Sequence, residues 1–391
     1  MPERTSPPPG QSFRIVLLTT FAAFCAFYAP QPLLPAFAAE FGASPATAAL
    51  LLSVCLAALA IAPLGFGVVL QRFGARALLS ASAGLLGALQ LAFAAADGFA
   101  WLLGARAAQA LLYPAVFTAA VTYCSRAGEA DAVARRVATY IATTILGGLS
   151  GRLIGGFVSD ALGWRATFAL LGALLLGCAA LLLVAARDQP LPAAPGGARG
   201  ALALLAAPTF AAGLALIAIV FLTFSGLLTA LPFRLVEIDP GVDASTISLV
   251  YLGYLVGVGV SLNVARVHAA LGGPVRAMGA ALALLGAGLG ASAAPSVAVL
   301  VAAGFLTSAG MFTVHATLSG YLNGLRPDQA GLVNGLYISV YYAAGALGSF
   351  APLWLYQAVG WGGFLGAMLA TCLAGSLPLA LLARARRRAP A

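Results

Sequence analysis

Long apolar runs follow one another along almost the whole chain, and they constrain its fold more than any other feature. A membrane-spanning helix needs about 20 apolar residues to cross roughly 30 Å of hydrocarbon. Only 8% of the residues are charged, against about a quarter in a soluble domain. The sequence therefore predicts an all-α integral membrane protein with twelve spans, at about 13–38, 45–69, 77–96, 99–123, 133–158, 164–186, 203–233, 245–265, 277–293, 297–321, 329–352 and 361–383.

The placement of the arginines predicts how these spans are oriented. An even number of spans puts both termini on one side, and sixteen of the twenty basic residues, all of them arginine, fall on that side. Arg165 and Arg234 fall opposite, while Arg106 and Arg152 lie within spans. Since basic residues concentrate in cytoplasmic loops, we expect a multi-pass membrane protein with both termini in the cytoplasm. The net charge of +9 follows this topology and predicts no nucleic-acid partner.

A charged and proline-rich interruption near the middle of the chain, RDQPLPAAPGGARG at 187–200, divides it into six spans plus six. Two six-helix halves imply an inward-facing seam, where transporters built in this way hold substrate near the midplane. The predicted domains are a cytoplasmic N-terminal tail at 1–12, an N-terminal bundle at 13–186, a central cytoplasmic linker at 187–202, a C-terminal bundle at 203–383 and a basic cytoplasmic tail at 384–391.

A short basic turn between spans 2 and 3 carries the first of several motifs. It reads GVVLQRFGAR at 67–76 and resembles the signature loop G-x-L-x-D-R-x-G-R-R of the major facilitator superfamily. Gln71 stands where that family usually has aspartate. The turn at 266–276, between spans 8 and 9, is a looser copy, which supports an internal duplication. The matching residues, which the resemblance implies form a cytoplasmic gating loop, are Gly67, Arg72, Gly74 and Arg76.

Two further motifs lie in spans 4 and 5. Arg106 and Gln109 are similar to the superfamily pattern R-x-x-Q-G of the fourth helix. GGLSGRLIGG at 147–156 resembles the antiporter motif G-x-x-x-G-P-x-x-G-G, with Arg152 in place of proline, and the sequence GWRATF at 163–168 follows it. Together the motifs resemble the drug and metabolite exporter branch, in a group similar to YnfM-like bacterial inner-membrane proteins. This implies two pseudo-symmetric six-helix bundles, no cofactor and a monomer.

The two arginines within spans are candidates for coupling or substrate binding. A charged residue at the bilayer centre costs about 2.5–3.5 kcal/mol on insertion scales, so both should face the bundle or a wet cavity. Arg106 alternatively has a structural role, bonding main-chain carbonyls or a neighbouring helix. Arg152 alternatively pairs with Asp160, and either side chain could extend toward the outer surface.

Three glycines in span 5 recur every four residues, at Gly147, Gly151 and Gly155. Such spacing gives a helix a smooth face for close contact with a neighbour. The pattern predicts packing, and the same contact could slide or open during alternating access.

No carboxylate lies deep in any span, although a proton-driven antiporter usually needs a titratable group in its cavity. His315, near the middle of span 10, is the one deeply placed residue whose unperturbed pKa lies near neutrality. It is a candidate proton carrier or substrate contact, and otherwise a hydrogen-bonded packing residue.

Aromatic and amide side chains recur at helical spacing along several spans. Because buried tyrosine and amide groups need partners, we expect them to cluster toward the central seam. Ordinary helix packing is the alternative for each. The candidates are Tyr28 and Gln31 on span 1, Gln109 and Tyr113 on span 4, Tyr251 and Tyr254 on span 8, and Asn334, Tyr337 and Tyr341 on span 11, with Phe221 and Phe224 on span 7 as apolar walls.

These features predict a secondary transporter that moves a small organic molecule by alternating access. The leading hypothesis is export of a drug-like compound, siderophore or metabolite, with protons as the coupling ion and the lipid bilayer as the surroundings. The alternative is symport-type import of a small organic anion, which arginine would suit. A membrane enzyme is disfavoured because neither histidine stands in metal-ligand or catalytic spacing. A channel is disfavoured because no repeated pore loop is visible.

Overall fold

The computed structural model describes residues 9–70, 74–125, 130–185 and 198–388, and all regular structure in that part of the chain is helical. Three short 3₁₀ turns interrupt the α-helices, at Gln31–Leu33, Leu249–Gly253 and Pro327–Gln329. The α-helices of the described residues are α1 (Pro9–Tyr28), α2 (Leu34–Phe41), α3 (Pro45–Leu70), α4 (Ala75–Ala94), α5 (Phe99–Ser125), α6 (Ala130–Leu162), α7 (Trp164–Ala185), α8 (Ala198–Ala206), α9 (Pro208–Ile238), α10 (Ala244–Ser248), α11 (Tyr254–Leu262), α12 (Val264–Leu271), α13 (Pro274–Ala291), α14 (Val297–Leu325), α15 (Ala330–Ala374) and α16 (Ser376–Arg388).

Ten helical stretches of the described chain are long and apolar enough to cross a membrane. One of them, Pro327–Arg387, is 61 residues long and covers both predicted spans 11 and 12. A shorter apolar helix, Pro45–Ile61, lies at predicted span 2, and each remaining stretch matches one predicted span. The all-α membrane fold predicted from hydropathy is thus confirmed.

Proline and glycine mark the interruptions within spans. The first span breaks between α1 and α2, where Pro30 and Pro32 stand. Two prolines this close remove two main-chain hydrogen bonds from one turn, which weakens the helix there. In α15 the break is at Gly360, whose φ of 71° and ψ of −178° are not helical. Glycine tolerates such a positive φ without a steric penalty. This residue separates predicted span 11 from predicted span 12, which continues from α15 into α16.

By internal contacts the chain forms two compact units. The first unit comprises Met1–Leu33, Leu64–Ala194 and Asp243–Ser245, and the second comprises Leu34–Pro63, Pro195–Val242 and Thr246–Ala391. The segment 34–63 therefore groups with the second unit, whereas the predicted N-terminal bundle runs continuously from 13 to 186. One contact within the second unit that holds this segment is a 2.8 Å hydrogen bond from Ser53 Oγ to the carbonyl of Ala346.

Parts of the predicted tails and linker are helical. Helix α1 includes residues 9–12 of the predicted N-terminal tail, and α16 continues the last span through Arg388. Helix α8 begins at Ala198, inside the predicted linker at 187–202, whose residues 187–197 lie outside the described part of the chain.

Candidate functional site

The first buried arginine, Arg106, binds main-chain carbonyls in the last turn of α1. Arg106, on α5, is fully buried, and its Nη2 donates to the carbonyl of Phe27 at 2.8 Å. Its Nη1 reaches the carbonyl of Ala26 at 3.3 Å. The final carbonyls of a helix have no donor further along it, so a guanidinium, with five N–H groups, can satisfy two of them at once.

The remaining contacts of Arg106 come from its own helix. Nη1 donates to Oε1 of Gln109 at 2.8 Å and to the hydroxyl of Tyr113 at 3.3 Å, one and two turns further along α5. The rings of Phe27 and Tyr113 lie 5.9 and 5.8 Å from Cζ of Arg106, within the range of a cation–π contact. The structure therefore brings together three of the predicted site residues, Arg106, Gln109 and Tyr113.

Arg152, on α6, forms a second group with the break in span 1. Its Nε donates to Oε1 of Gln31 at 2.7 Å, and its Nη1 donates to the carbonyl of Gly148 at 3.0 Å. The Tyr28 ring centroid lies 3.9 Å from Cζ of Arg152, so the guanidinium stacks on the aromatic face. Both the arginine and Gln31 are buried.

Asp160, considered from the sequence as a partner of Arg152, binds elsewhere. Its two carboxylate oxygens accept hydrogen bonds from the main-chain N–H groups of Ala244 and Ser245, at 3.1 and 2.7 Å. These donors belong to the first turn of α10, where exposed N–H groups favour an acidic side chain. The sequence alternative of an Arg152–Asp160 ion pair is therefore not the arrangement in the structure.

The three glycines of α6 pack directly against the main chain of α1. An added Cβ at Gly147 would lie 2.9 Å from the carbonyl oxygen of Phe21. At Gly151 it would collide with the carbonyl of Cys25, and at Gly155 with that of Ala29. The contacted residues recur every four positions, as the glycines do, so one row of α1 fits one groove of α6.

In the second unit, His315 on α14 contacts two tyrosines of α15. The hydroxyl of Tyr337 lies 3.0 Å from Nδ1 of His315 and 3.2 Å from its carbonyl oxygen. Both contacts are satisfied together when Nδ1–H donates to the hydroxyl oxygen and the phenol donates to the carbonyl. The rings of His315 and Tyr341 lie 4.9 Å apart. Nε2 of His315 makes no hydrogen bond to any residue that the structure describes.

Aromatic rings extend this group along α9. The rings of Phe221 and Tyr341 stack with centroids 3.6 Å apart and an interplanar angle of 11°. The ring centroid of Phe224 lies 5.8 Å from that of Tyr254 and 6.3 Å from that of Phe312. The rings predicted as apolar walls therefore do contact tyrosines from the predicted set, and they form one aromatic cluster within the second unit.

Two predicted residues of the second unit are hydrogen-bonded to residues other than His315. Tyr251 is fully buried and donates to the carbonyl of Leu228 at 3.1 Å. Asn334 is exposed, and its Oδ1 accepts a 2.8 Å hydrogen bond from Asn323, near the end of α14.

The predicted gating loop is only partly described. Gly67 lies in α3, and Arg72 lies outside the described residues. Gly74 precedes α4 in an extended conformation, with φ −63° and ψ 150°, and Arg76 is half-buried in the first turn of that helix. Gating by this loop stays a prediction.

Comparison with known proteins decides the family. The model of the Major Facilitator Superfamily matches residues 16–272. The chain belongs to this superfamily. It is 32% identical over 171 residues to the inner membrane transport protein YnfM of Escherichia coli strain K12, covering 43% of this chain and 41% of YnfM. It is 29% identical over 168 residues to the MFS-type transporter YybF of Bacillus subtilis strain 168, covering 42% of each.

The chain thus matches about two fifths of the length of these two curated relatives. Among solved structures, a bacterial homologue of the human lysosomal transporter Spinster, in an inward-facing and occupied conformation, aligns with a TM-score of 0.78 at 16% identity over 96% of both chains. That likeness shows the fold alone. The predicted family and the prediction of a transporter rather than an enzyme are confirmed.

One residue that sequence reasoning missed in this Major Facilitator Superfamily protein is Gln90, on α4. It is fully buried, and its Nε2 lies 3.3 Å from the carbonyl of Ala26. The available signal was an amide within an otherwise apolar span, since buried amides require partners. Phe312 was missed as well, because one more phenylalanine in an apolar helix carries no distinguishing pattern.

Proposed function

We propose that this transporter exports a small amphiphilic organic molecule in exchange for protons, with His315 carrying the coupled proton. The observation that supports this most is the hydrogen bonding of the imidazole. The hydroxyl of Tyr337 is hydrogen-bonded to Nδ1 and to the main-chain carbonyl of His315. This leaves Nε2 of His315 to gain and lose a proton. A histidine is the side chain whose charge changes most readily near neutral pH.

Two groups of residues are proposed to contact the substrate. In the first unit these are Arg152, Gln31 and Tyr28, which offer a cation, an amide and an aromatic face within one cluster. In the second unit, Phe221 and Tyr341 offer stacked rings. Mixed aromatic, amide and cationic surfaces suit an amphiphilic molecule, because apolar surface supplies affinity and a few polar groups fix orientation.

The proposed setting follows from the sequence. The protein works in the inner membrane as a monomer, with both termini in the cytoplasm and two six-helix bundles at 13–186 and 203–383. The arginine bias of its cytoplasmic segments supports the orientation. Its family transports by exposing the substrate site alternately to the two sides of the membrane.

The test is proton flux in everted membrane vesicles energised to an acidic interior. Cationic, neutral and anionic compounds are added in turn to vesicles containing the wild type, His315→Gln or His268→Gln. His268→Gln is the matched control because it makes the same substitution at a histidine of α12, whose Nε2 lies 2.9 Å from Oγ1 of Thr317. We expect particular compounds to dissipate the gradient with the wild type and His268→Gln, and not with His315→Gln. Equal dissipation by all three proteins would contradict the role of His315.

Import of a small organic anion is the second candidate, and the Arg152 cluster favours it. A guanidinium with a fixed orientation binds carboxylate and phosphate groups in a bidentate manner. Counterflow of labelled organic anions in proteoliposomes, with no gradient dissipation by any cation or neutral compound, would replace the exporter proposal with this one.

A further inference from the structure

Pro30 deprives one carbonyl in the first span of its usual partner. In an α-helix the N–H of each residue binds the carbonyl four positions earlier, and Pro30 has no N–H to offer Ala26. Within a bilayer an unsatisfied carbonyl is costly, so a neighbouring group must bind it. Arg106 Nη1 and Gln90 Nε2, from two different helices, each lie 3.3 Å from the Ala26 carbonyl.

The second unit shows the same arrangement at Pro232, inside α9. The carbonyl four positions earlier belongs to Leu228. The hydroxyl of Tyr251 donates to that carbonyl at 3.1 Å, and both Tyr251 and Leu228 are buried. Predicted spans 1 and 7 hold corresponding places in the two halves, so each half pairs a proline-freed carbonyl with a donor from a neighbouring helix.

We propose that Gln90, Arg106 and Tyr251 are positioning residues that replace the hydrogen-bond donors which Pro30 and Pro232 lack. Each bond fixes how the chain continues past its proline. In the first unit, that direction sets where Gln31 lies relative to Arg152. Arg106 would therefore act through the main chain of α1, which is the structural alternative considered from the sequence and not the coupling or substrate role.

The second-unit pair gives the cleanest test, because Tyr251→Phe removes only a hydroxyl. We would measure the apparent Tm of the purified full-length protein in detergent, at one scan rate, for Tyr251→Phe, Pro232→Ala and the double variant. Loss of a donor to a buried carbonyl should lower Tm by about 2–6 °C in the wild-type background. Pro232→Ala restores a main-chain N–H that can donate to the Leu228 carbonyl. In that background, loss of the Tyr251 hydroxyl should therefore lower Tm by less than half as much as in the wild type.

Tyr254→Phe is the matched control, since Tyr254 is a neighbouring tyrosine whose ring packs on Phe224 and Phe312. Its effect on Tm should be equal in both backgrounds. If Tyr251→Phe also lowers Tm by the same amount with and without Pro232, the proposal is overturned.

The first-unit pair gives an independent cycle, which also serves if Pro232→Ala does not fold. Gln90→Leu should lower Tm less with Pro30→Ala than without it. Arg165→Gln is the control, because Arg165 Nη2 donates to the Ala96 carbonyl at 3.1 Å. The residue four positions after Ala96 is an alanine and not a proline, so Pro30→Ala should not relieve the loss of this donor. Equal effects of Gln90→Leu in both backgrounds would contradict the proposal. Unfolding is measured without transport, so this result is independent of substrate and coupling ion.

Discussion

Replacing Gly151 by alanine should destabilise the protein, although alanine is the better helix former. The residue lies in the middle of α6, and an added Cβ would sit 2.5 Å from Cα and 2.8 Å from the carbonyl carbon of Cys25. Carbon atoms in favourable contact are roughly 3.5–4.0 Å apart. Because these neighbours are main-chain atoms, no side-chain rotation can relieve the contact, and α1 and α6 must separate by about 1 Å or more.

Two opposing terms set the magnitude. Alanine is favoured over glycine within a helix by about 0.5–1 kcal/mol. Forcing an extra methyl into a packed core costs about 1–3 kcal/mol, and the upper part of that range applies here because main chain has to move. The net expectation is a loss of about 1–2 kcal/mol, together with the displacement of Tyr28 and Gln31 from Arg152.

The assay is the apparent Tm of the full-length protein in detergent, with proton flux in vesicles as a second measurement. Gly177→Ala is the control, since Gly177 lies in α7 and, beyond the main chain of its own helix, no atom of the residues that the structure describes lies within 4 Å of an added Cβ. This substitution should raise Tm through helix propensity alone. A Gly151→Ala protein at least as stable as the wild type would refute the reasoning, because the close approach of α1 and α6 would then impose no steric limit.

Two other substitutions give separate checks. Arg152→Lys should raise KM about tenfold or more with less change in kcat, because an ammonium cannot donate to Gln31 and stack on Tyr28 as the guanidinium does. Uptake rates measured against substrate concentration give KM and kcat. An unchanged KM would exclude Arg152 from substrate binding. Ser44→Ala should cost about 1 kcal/mol of stability, since Ser44 Oγ accepts a 3.1 Å hydrogen bond from the Thr47 N–H at the start of α3. Thermal unfolding measures this loss. An unchanged stability would mean that solvent replaces the capping hydrogen bond of Ser44.

Part of the candidate site could be inferred from sequence because its members share one helix. Arg106, Gln109 and Tyr113 are three and four residues apart, which places them on one face of α5, and the structure shows them in contact. The partners from other helices could not be inferred in this way. Pro30 marks the Ala26 carbonyl as freed but does not show which helix supplies the donor, and the Phe27 carbonyl has no sequence signature. Gln90 becomes meaningful only when α4 is placed beside α1.

The sequence by itself determined that the chain is an all-α membrane transporter, where its spans lie and which family it belongs to. Hydropathy and motif spacing are properties of single segments, and the cost of exposing polar main chain to lipid leaves the helix as the solution for each apolar run. Only the tertiary structure decided that Arg152 binds Gln31 and that segment 34–63 groups with the second unit. Those outcomes depend on how each helix is rotated and which neighbour it meets, and many residues far apart in sequence set that packing together.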